Sequence, residues 1–238
     1  RPQMMKWIAK DQRAYVKNRR IEVNTATIAI FIQRCLENDE GEKDNYIEEL
    51  ERLIRIETDF ASAFDTISHD FLRALLKEIG MGDRMIAIIM LIVSSMSAKV
   101  IVNDELTEEI RIRVGVPQGC SLSGLLFIMV LECMFRRALS NPETYGNGVP
   151  LVKGSKDRTL YSAFADDCDI WVTEIRHVIN WFELLGKFEE ATGLALQPPK
   201  CKANMLGGKW VCDKSGSPSR HGKKALEELK KRLPKLMV

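Results

Sequence analysis

Apolar residues recur at helical spacing over 21–36 and again over 46–53, with a charged stretch at 37–45 that reads as a solvated connection. Residues 54–60 read as a strand that closes on an acidic residue, Asp59. A turn follows, then a helix capped by Ser68 that stops near Gly80. The run 85–95 is apolar enough for a buried helix, and 98–103 with 108–114 are expected as strands of a hairpin about Asp104 and Glu105. A turn at Pro117, Gln118 and Gly119 leads into the long apolar helix 121–138, and 141–156 reads as a polar loop. The short apolar runs 160–164 and 170–173 flank Ala165, Asp166 and Asp167, a tight hairpin with two carboxylates at its tip. Helix 174–192 leaves through Gly193 and Leu194 toward short strands near 203–206 and 210–212. A Ser/Gly/Pro linker, 215–219, precedes a basic helix over 223–231. Helices packed on one face of a small antiparallel sheet make the expected fold class α+β. The expected division is 1–52, 53–212 and 213–238.

With 45% hydrophobic and 29% charged residues in 238, the chain can bury a core, and disorder is not the default reading. A net charge of +2 implies no partner by itself, so the placement of charge matters more. Basic residues crowd both ends, from Lys6 to Arg20 and from Arg220 to Arg232, while carboxylates dominate 37–51. That arrangement suits a phosphate-lined channel, and solvated faces account for either cluster taken alone equally well. The six cysteines form no CxxC pair and no secretory spacing, so a disulfide scaffold is not expected and an intracellular, reducing compartment fits, nuclear or cytoplasmic, an organelle being an open alternative. Cys201, Cys212 and His221 lack a close ligand pair, and no zinc is assigned to them. The longest apolar run, 85–93, is far short of a membrane span, and no membrane partner is expected. The chain opens on Arg1, not methionine, and reads as processed or partial.

Adjacent aspartates between two apolar strands are hard to explain as core, because like charges repel unless a cation intervenes. An exposed turn accounts for Asp166 and Asp167 equally well in isolation. Asp59, at the end of another strand, removes that isolation. Hard magnesium ions take few carboxylates, since substrate phosphates and water complete their shell, and phosphoryl transfer needs two such ions roughly 3.5–4 Å apart.

Thr58-Asp59-Phe60-Ala61-Ser62-Ala63-Phe64-Asp65 followed by His69 resembles motif A of the non-LTR (LINE-type) reverse transcriptases. The stretch from Val116 to Ser123 resembles their motif B, Ala163 to Asp167 the motif C hairpin, and Gly193-Leu194 with Lys200 motif D. Asp11 to Ile21 looks like the fingers segment in which Gln and an aromatic precede a basic turn. The five matches occur in family order over most of the chain.

The resemblance implies a polymerase palm: an RNA-directed DNA polymerase that adds deoxynucleoside triphosphates to a DNA primer on an RNA template, with two Mg2+ ions for which Mn2+ can substitute. It assigns Asp59 and Asp166, with Asp167 beside them, as metal ligands. The Phe60 carbonyl would complete the metal shell, and Phe64 would floor the sugar and reject a 2′-hydroxyl. Gln118 and Gly119 would lie against the nucleotide and template, Lys200 would support the departing pyrophosphate, and Arg19 and Arg20 would meet template phosphates. Asp65 and His69 are expected to brace the turn and helix after it. Gly124 departs from the family's usual Pro, and Gln197 from its Asn. No counterpart of the earlier fingers strands precedes Arg1, and the thumb is at most the basic helix, so residues 1–238 alone are expected to polymerise poorly without further chain or partner subunits. A palm kept as an idle structural or RNA-binding subunit of a larger assembly is the competing reading.

Overall fold

The chain runs through α1 (Glu22–Leu36), α2 (Asn45–Glu51), β1 (Ile54–Thr58), α3 (His69–Glu78) and α4 (Asp83–Ser94). Four two-residue strands follow, β2 (Ser97–Ala98), β3 (Ile101–Val102), β4 (Glu105–Leu106) and β5 (Ile110–Arg111), then α5 (Ser121–Leu139) and the single turn α6 (Pro142–Tyr145). The remainder is β6 (Val149–Pro150), β7 (Arg158–Thr159), β8 (Tyr161–Phe164), β9 (Asp167–Val172), α7 (Ile175–Thr192), β10 (Lys202–Met205) and α8 (Arg220–Arg232). These assignments come from a computed structural model that describes residues 6–36, 45–211 and 217–236. Most of the expected charged connection, Cys212 and part of the 215–219 linker lie outside the described residues.

Ile54, Ile56 and Thr58 alternate with Arg55 and Glu57, a period of two that buries one face of β1 and leaves the other half-exposed. This strand lies inside an antiparallel sheet of order β10-β1-β9-β8. Its buried face joins α3, α5 and α7 in the main core, which includes Ile56, Leu72, Leu76, Phe127, Phe135, Ile170 and Trp181. The helix α5 is apolar on every side from Leu126 to Leu131 and is buried all round, as a central helix must be. Phe135 stacks on Tyr161 of β8 with ring centroids 3.7 Å apart. Helices do not keep to one face, as expected from sequence. Phe31 of α1 packs on Trp171 at 4.5 Å on the opposite side, in a second cluster with Leu50, Leu53 and Val149.

Other expectations also change. The loop expected over 141–156 contains α6 and β6, the latter paired with β7. The hairpin after α4 turns on Asn103 and Asp104, both at positive φ, so Glu105 begins a strand. In place of a strand over 210–212, Val211 makes a lone bridge to Pro218.

The segment before α1 is tied to the sheet edge. Arg13 N–H donates to the Ala163 carbonyl at 2.8 Å, and Ala163 N–H to the Asp11 carbonyl at 3.0 Å. Gln12 between them is fully buried. Its Oε1 accepts from the Ala165 and Ala14 amides at 3.2 and 3.1 Å, and its Nε2 donates to the Ala165 carbonyl at 3.4 Å. One amide therefore grips both polar groups of Ala165, which holds φ 57 in the turn between β8 and β9. Below it, Glu132 of α5 is fully buried, 3.5 Å from the Tyr161 hydroxyl and 3.8 Å from Arg136. Burial pushes the Glu132 carboxyl up to about 7, and pushes the nearby Asp11 carboxyl up as well.

Two outcomes follow from these contacts. Gln12→Ala leaves the Ala165 and Ala14 amides buried without a partner, and is expected to cost about 3 kcal/mol in urea unfolding. For Glu132 the native state keeps a proton that the unfolded chain has lost, so its contribution is present below about pH 4.5 and disappears as pH rises to about 7. The loss is on the order of 3 kcal/mol. Unfolding free energies between pH 4.5 and 8 are expected to fall less steeply in Glu132→Gln, the residual slope belonging to the other raised carboxyls, Asp11, Asp167 and Asp169, with His177, lowered by burial, acting in the opposite sense.

Candidate active site

Asp59 is the residue after β1 and Asp167 is the first of β9. Thr58 pairs with Cys168 in the register of these strands, and one further step sets Asp59 beside Asp167 on the half-exposed face. Asp166 occupies the turn, so Asp166 alone holds the hairpin tip and Asp167 belongs to the ladder, opposite Phe164. The Asp167 carboxyl is raised from its ordinary value by partial burial first, then by the negative charges of Asp166 and Asp59. The three carboxylates act on one another at one end of the sheet.

The backbone of Asp59 is held on both sides. Its carbonyl accepts from the Gln197 amide at 2.8 Å, and its own amide donates to the Cys201 sulfur at 3.4 Å. Phe60 bridges Leu196, with Ala61 N–H on the Ala195 carbonyl, and its ring is buried. The Asp59 Oδ2 atom is buried and accepts no hydrogen bond; the Lys200 ammonium lies 3.4 Å away as an ion pair. Behind Asp59 and Asp167 the same face carries a charged ladder. Arg55 reaches Asp169 at 2.7 Å and Glu57 at 2.8 Å, and Asn204 donates to Glu57 at 2.6 Å. A cleft of about 630 Å³ lies over this face, with Asp59, Asp167, Phe164 and Lys200 in its wall and Asn24 and Ile28 of α1 across from them.

Among the described residues no three His, Cys, Asp or Glu side chains form a ready cluster for a metal ion. The donor set is open-sided: two carboxylates from neighbouring strands, a third in the turn, and one buried oxygen free of hydrogen bonds. That suits a hard cation that draws the rest of its shell from substrate and water, as magnesium does, and not a closed structural site.

A second cleft, of about 530 Å³, is lined by Phe64, Gln118 and Gly119 together with Tyr15 and Gly124. Phe64 stacks on Phe127 of α5 at 4.7 Å. The Gln118 Nε2 group donates to both Asp65 oxygens, at 3.2 and 3.3 Å. Residues 64–69 are locked between two distant segments. Val116 N–H donates to the Phe64 carbonyl and Gly115 N–H to the Ile67 carbonyl, both at 2.7 Å, and His69 Nε2 lies 2.8 Å from the Gly115 carbonyl. On the other side Ser68 N–H donates to the Thr192 carbonyl at 2.7 Å. Glycine is required at 193, which takes φ 80 and where a Cβ would stand 2.4 Å from the Thr66 carbonyl oxygen.

The arginines divide. Arg20 is exposed, whereas the Arg19 guanidinium turns inward onto the carbonyls of Ile8, Ala9 and Gln12. Arg19 therefore fastens its own loop through its guanidinium. Gln12, Tyr15 and Cys201 were visible only as motif neighbours or a lone thiol, because contacts spanning more than a hundred residues leave no periodic trace.

The family model described as "Reverse transcriptase (RNA-dependent DNA polymerase)" matches residues 2–227. Curated relatives include the "Retrovirus-related Pol polyprotein from type-1 retrotransposable element R2" of Popillia japonica, 30% identical over 146 residues, or 61% of this chain and 23% of that protein. Another is the "Transposon TX1 uncharacterized 149 kDa protein" of Xenopus laevis, 25% identical, over 59% of this chain and 12% of that protein. The chain thus spans less than a quarter of either. Solved structures of similar fold include telomerase from Candida albicans in complex with a TWJ fragment of telomeric RNA, with TM-score 0.53 and 13% identity over 76% of this chain and 30% of that one. Apo telomerase from Candida Tropicalis, truncated from its C-terminal domain, has TM-score 0.50 and 14% identity over 76% of this chain and 40% of that one. Those identities speak for the fold alone, a polymerase palm, while the transposon relatives agree with the ordered motifs and the family model settles membership: the chain belongs to the reverse transcriptase family.

Proposed function

We propose that this chain is the palm of an RNA-directed DNA polymerase, joining deoxynucleotides to a primer 3′-hydroxyl on an RNA template. The observation that carries the reading is the convergence of Asp59 and Asp167, from adjacent strands, with Asp166 beside them at the mouth of a cleft. Asp59 and Asp166, with Asp167 as third carboxylate and the Phe60 carbonyl alongside, would hold two magnesium ions or their manganese substitutes. When bound, the ions would acidify the primer hydroxyl and offset the negative charge of the leaving pyrophosphate.

The remaining work falls to the chain. Lys200 sits on Asp59 in an exposed ion pair that costs little to open, so its ammonium is free to turn to the departing pyrophosphate. Phe64, backed by Phe127, presents a rigid ring under the sugar and leaves no room for a 2′-hydroxyl. Asp65 aims the Gln118 amide across the second cleft, and Gly119 lets backbone come close to a base. Arg20 is exposed, as is Lys17 in the same segment, and is assigned to template phosphate. A telomerase of this fold was solved with an RNA fragment, which is in keeping with an RNA partner here.

Magnesium-dependent primer extension on an RNA template, by the native polypeptide with any partner subunits, is the test. Asp166→Asn is expected to lower extension at least a hundredfold, roughly the scale of losing one positioned charge at a transition state. Activity that survives this change would refute the assignment, and no synthesis by any native form would favour the idle-subunit reading. In an active form, Phe64→Ala is expected to admit ribonucleotides, with discrimination between the two sugars falling by roughly tenfold or more. An unchanged sugar preference would remove Phe64 from its role.

A further inference from the structure

We propose that Tyr15 is a nucleobase-stacking residue of the Phe64–Gln118 cleft, and that Gly124 is the seat that holds its ring there. The inference deepens the polymerase reading and rests on it. The backbone leading to Tyr15 is fixed to the catalytic hairpin, because the Gln12 side chain that grips Ala165 also accepts from Ala14 N–H at 3.1 Å. Tyr15 then takes φ 55, a left-handed backbone that a bulky residue adopts only where its surroundings enforce it. The residue is nevertheless 54% exposed, so burial does not explain the conformation.

The ring lies on the first turn of α5. A Cβ built on Gly124 would stand 2.5–2.6 Å from three ring atoms, closer than any side chain allows. This helix thus carries a poor helix former at the one position where the Tyr15 ring needs bare backbone. The ring also meets Phe64 in a T-shaped contact, with centroids 6.4 Å apart and planes at 87°. The Gln118 amide shares the cleft, and the Ser123 hydroxyl is buried at its wall with no hydrogen-bond partner beyond the soft Cys120 thiol. A half-exposed aromatic ring with the Gln118 amide in the same cleft suits a planar ligand with polar edges, which is the chemistry of a base. The base belongs either to the incoming deoxynucleotide or to the template.

The test is equilibrium binding without chemistry, on the full native polypeptide with an RNA template and a dideoxy-terminated DNA primer. One arm measures affinity of this complex for a deoxynucleoside triphosphate. The other compares template–primers with and without an unpaired templating nucleotide. Tyr15→Ala is expected to weaken one of the two by roughly tenfold, the scale of one lost base stack, and Tyr15→Phe to retain most of the affinity. Gly124→Ala is expected to reproduce the defect by displacing the ring. In a Tyr15→Ala background the same change is expected to leave binding alone and raise thermal stability, because the helix then gains alanine without a clash. Loss in the first arm identifies the incoming base, and loss in the second the templating base. Unchanged affinity of Tyr15→Ala in both arms, or a native polypeptide that binds neither ligand, overturns the proposal. Tyr15-dependent binding by a native form that never extends a primer upholds it and counts against the polymerase reading alone.

Discussion

Everything in the candidate site depends on the pairing register of β1 with β9. Side chains alternate along a strand, so a slip of one residue would send Asp59 to the core and leave Asp167 without its neighbour. Two sets of contacts oppose such a slip. On one face Ile54, Ile56 and Thr58 meet Val172, Ile170 and Cys168 in the core. On the other, Arg55 binds Asp169 and Glu57, with Asn204 of β10 on Glu57. The ladder sets one guanidinium between two carboxylates in the middle of the polar face and leaves Asp59, Asp166 and Asp167 at its end. The Asp167 carboxyl is raised by partial burial first and by the charges of Asp166 and Asp59 second, and a bound cation would oppose that second effect.

Much of this was legible in the sequence, because local chemistry dictated it. The Ser68 cap, whose side chain accepts from Phe71 N–H at 3.3 Å, and the apolar length of α5 declare themselves within one or two turns. The carboxylate motifs were readable for the same reason. What escaped depends on partners far along the chain. A stretch rich in Asn, Gly and Lys gave no hint that Val149 would be buried against Trp171, which makes β6 from an expected loop. Arg19 and Arg20 are indistinguishable as letters, yet one fills a loop with its guanidinium and the other faces solvent. Gly124 read only as a departure from the family's usual Pro until the ring that occupies its space came into view.

The two clefts are joined by the backbone from Asp59 to His69. That stretch contributes a carboxylate to one cleft and an aromatic floor to the other, and it is clamped by residues 115–116 and 192–197. Movement of the clamp would therefore shift the distance between Asp59 and Phe64, the two ends against which a triphosphate and its sugar would be measured. Stiffness here has a clear source in paired amides and a glycine that tolerates no side chain.

The strand order also sets a timetable for synthesis. β1 leaves the ribosome before both of its neighbours, β9 and β10, which lie more than a hundred residues further on. Until they emerge, the strand that ends in Asp59 has two unpaired edges and a bare apolar face, the condition under which nascent chains pair wrongly or recruit a chaperone. Long-range pairing of this kind closes late and slowly. The carboxylates therefore meet only after nearly the whole palm has been made, and a truncated product ending before β9 would carry Asp59 with neither of its strand partners.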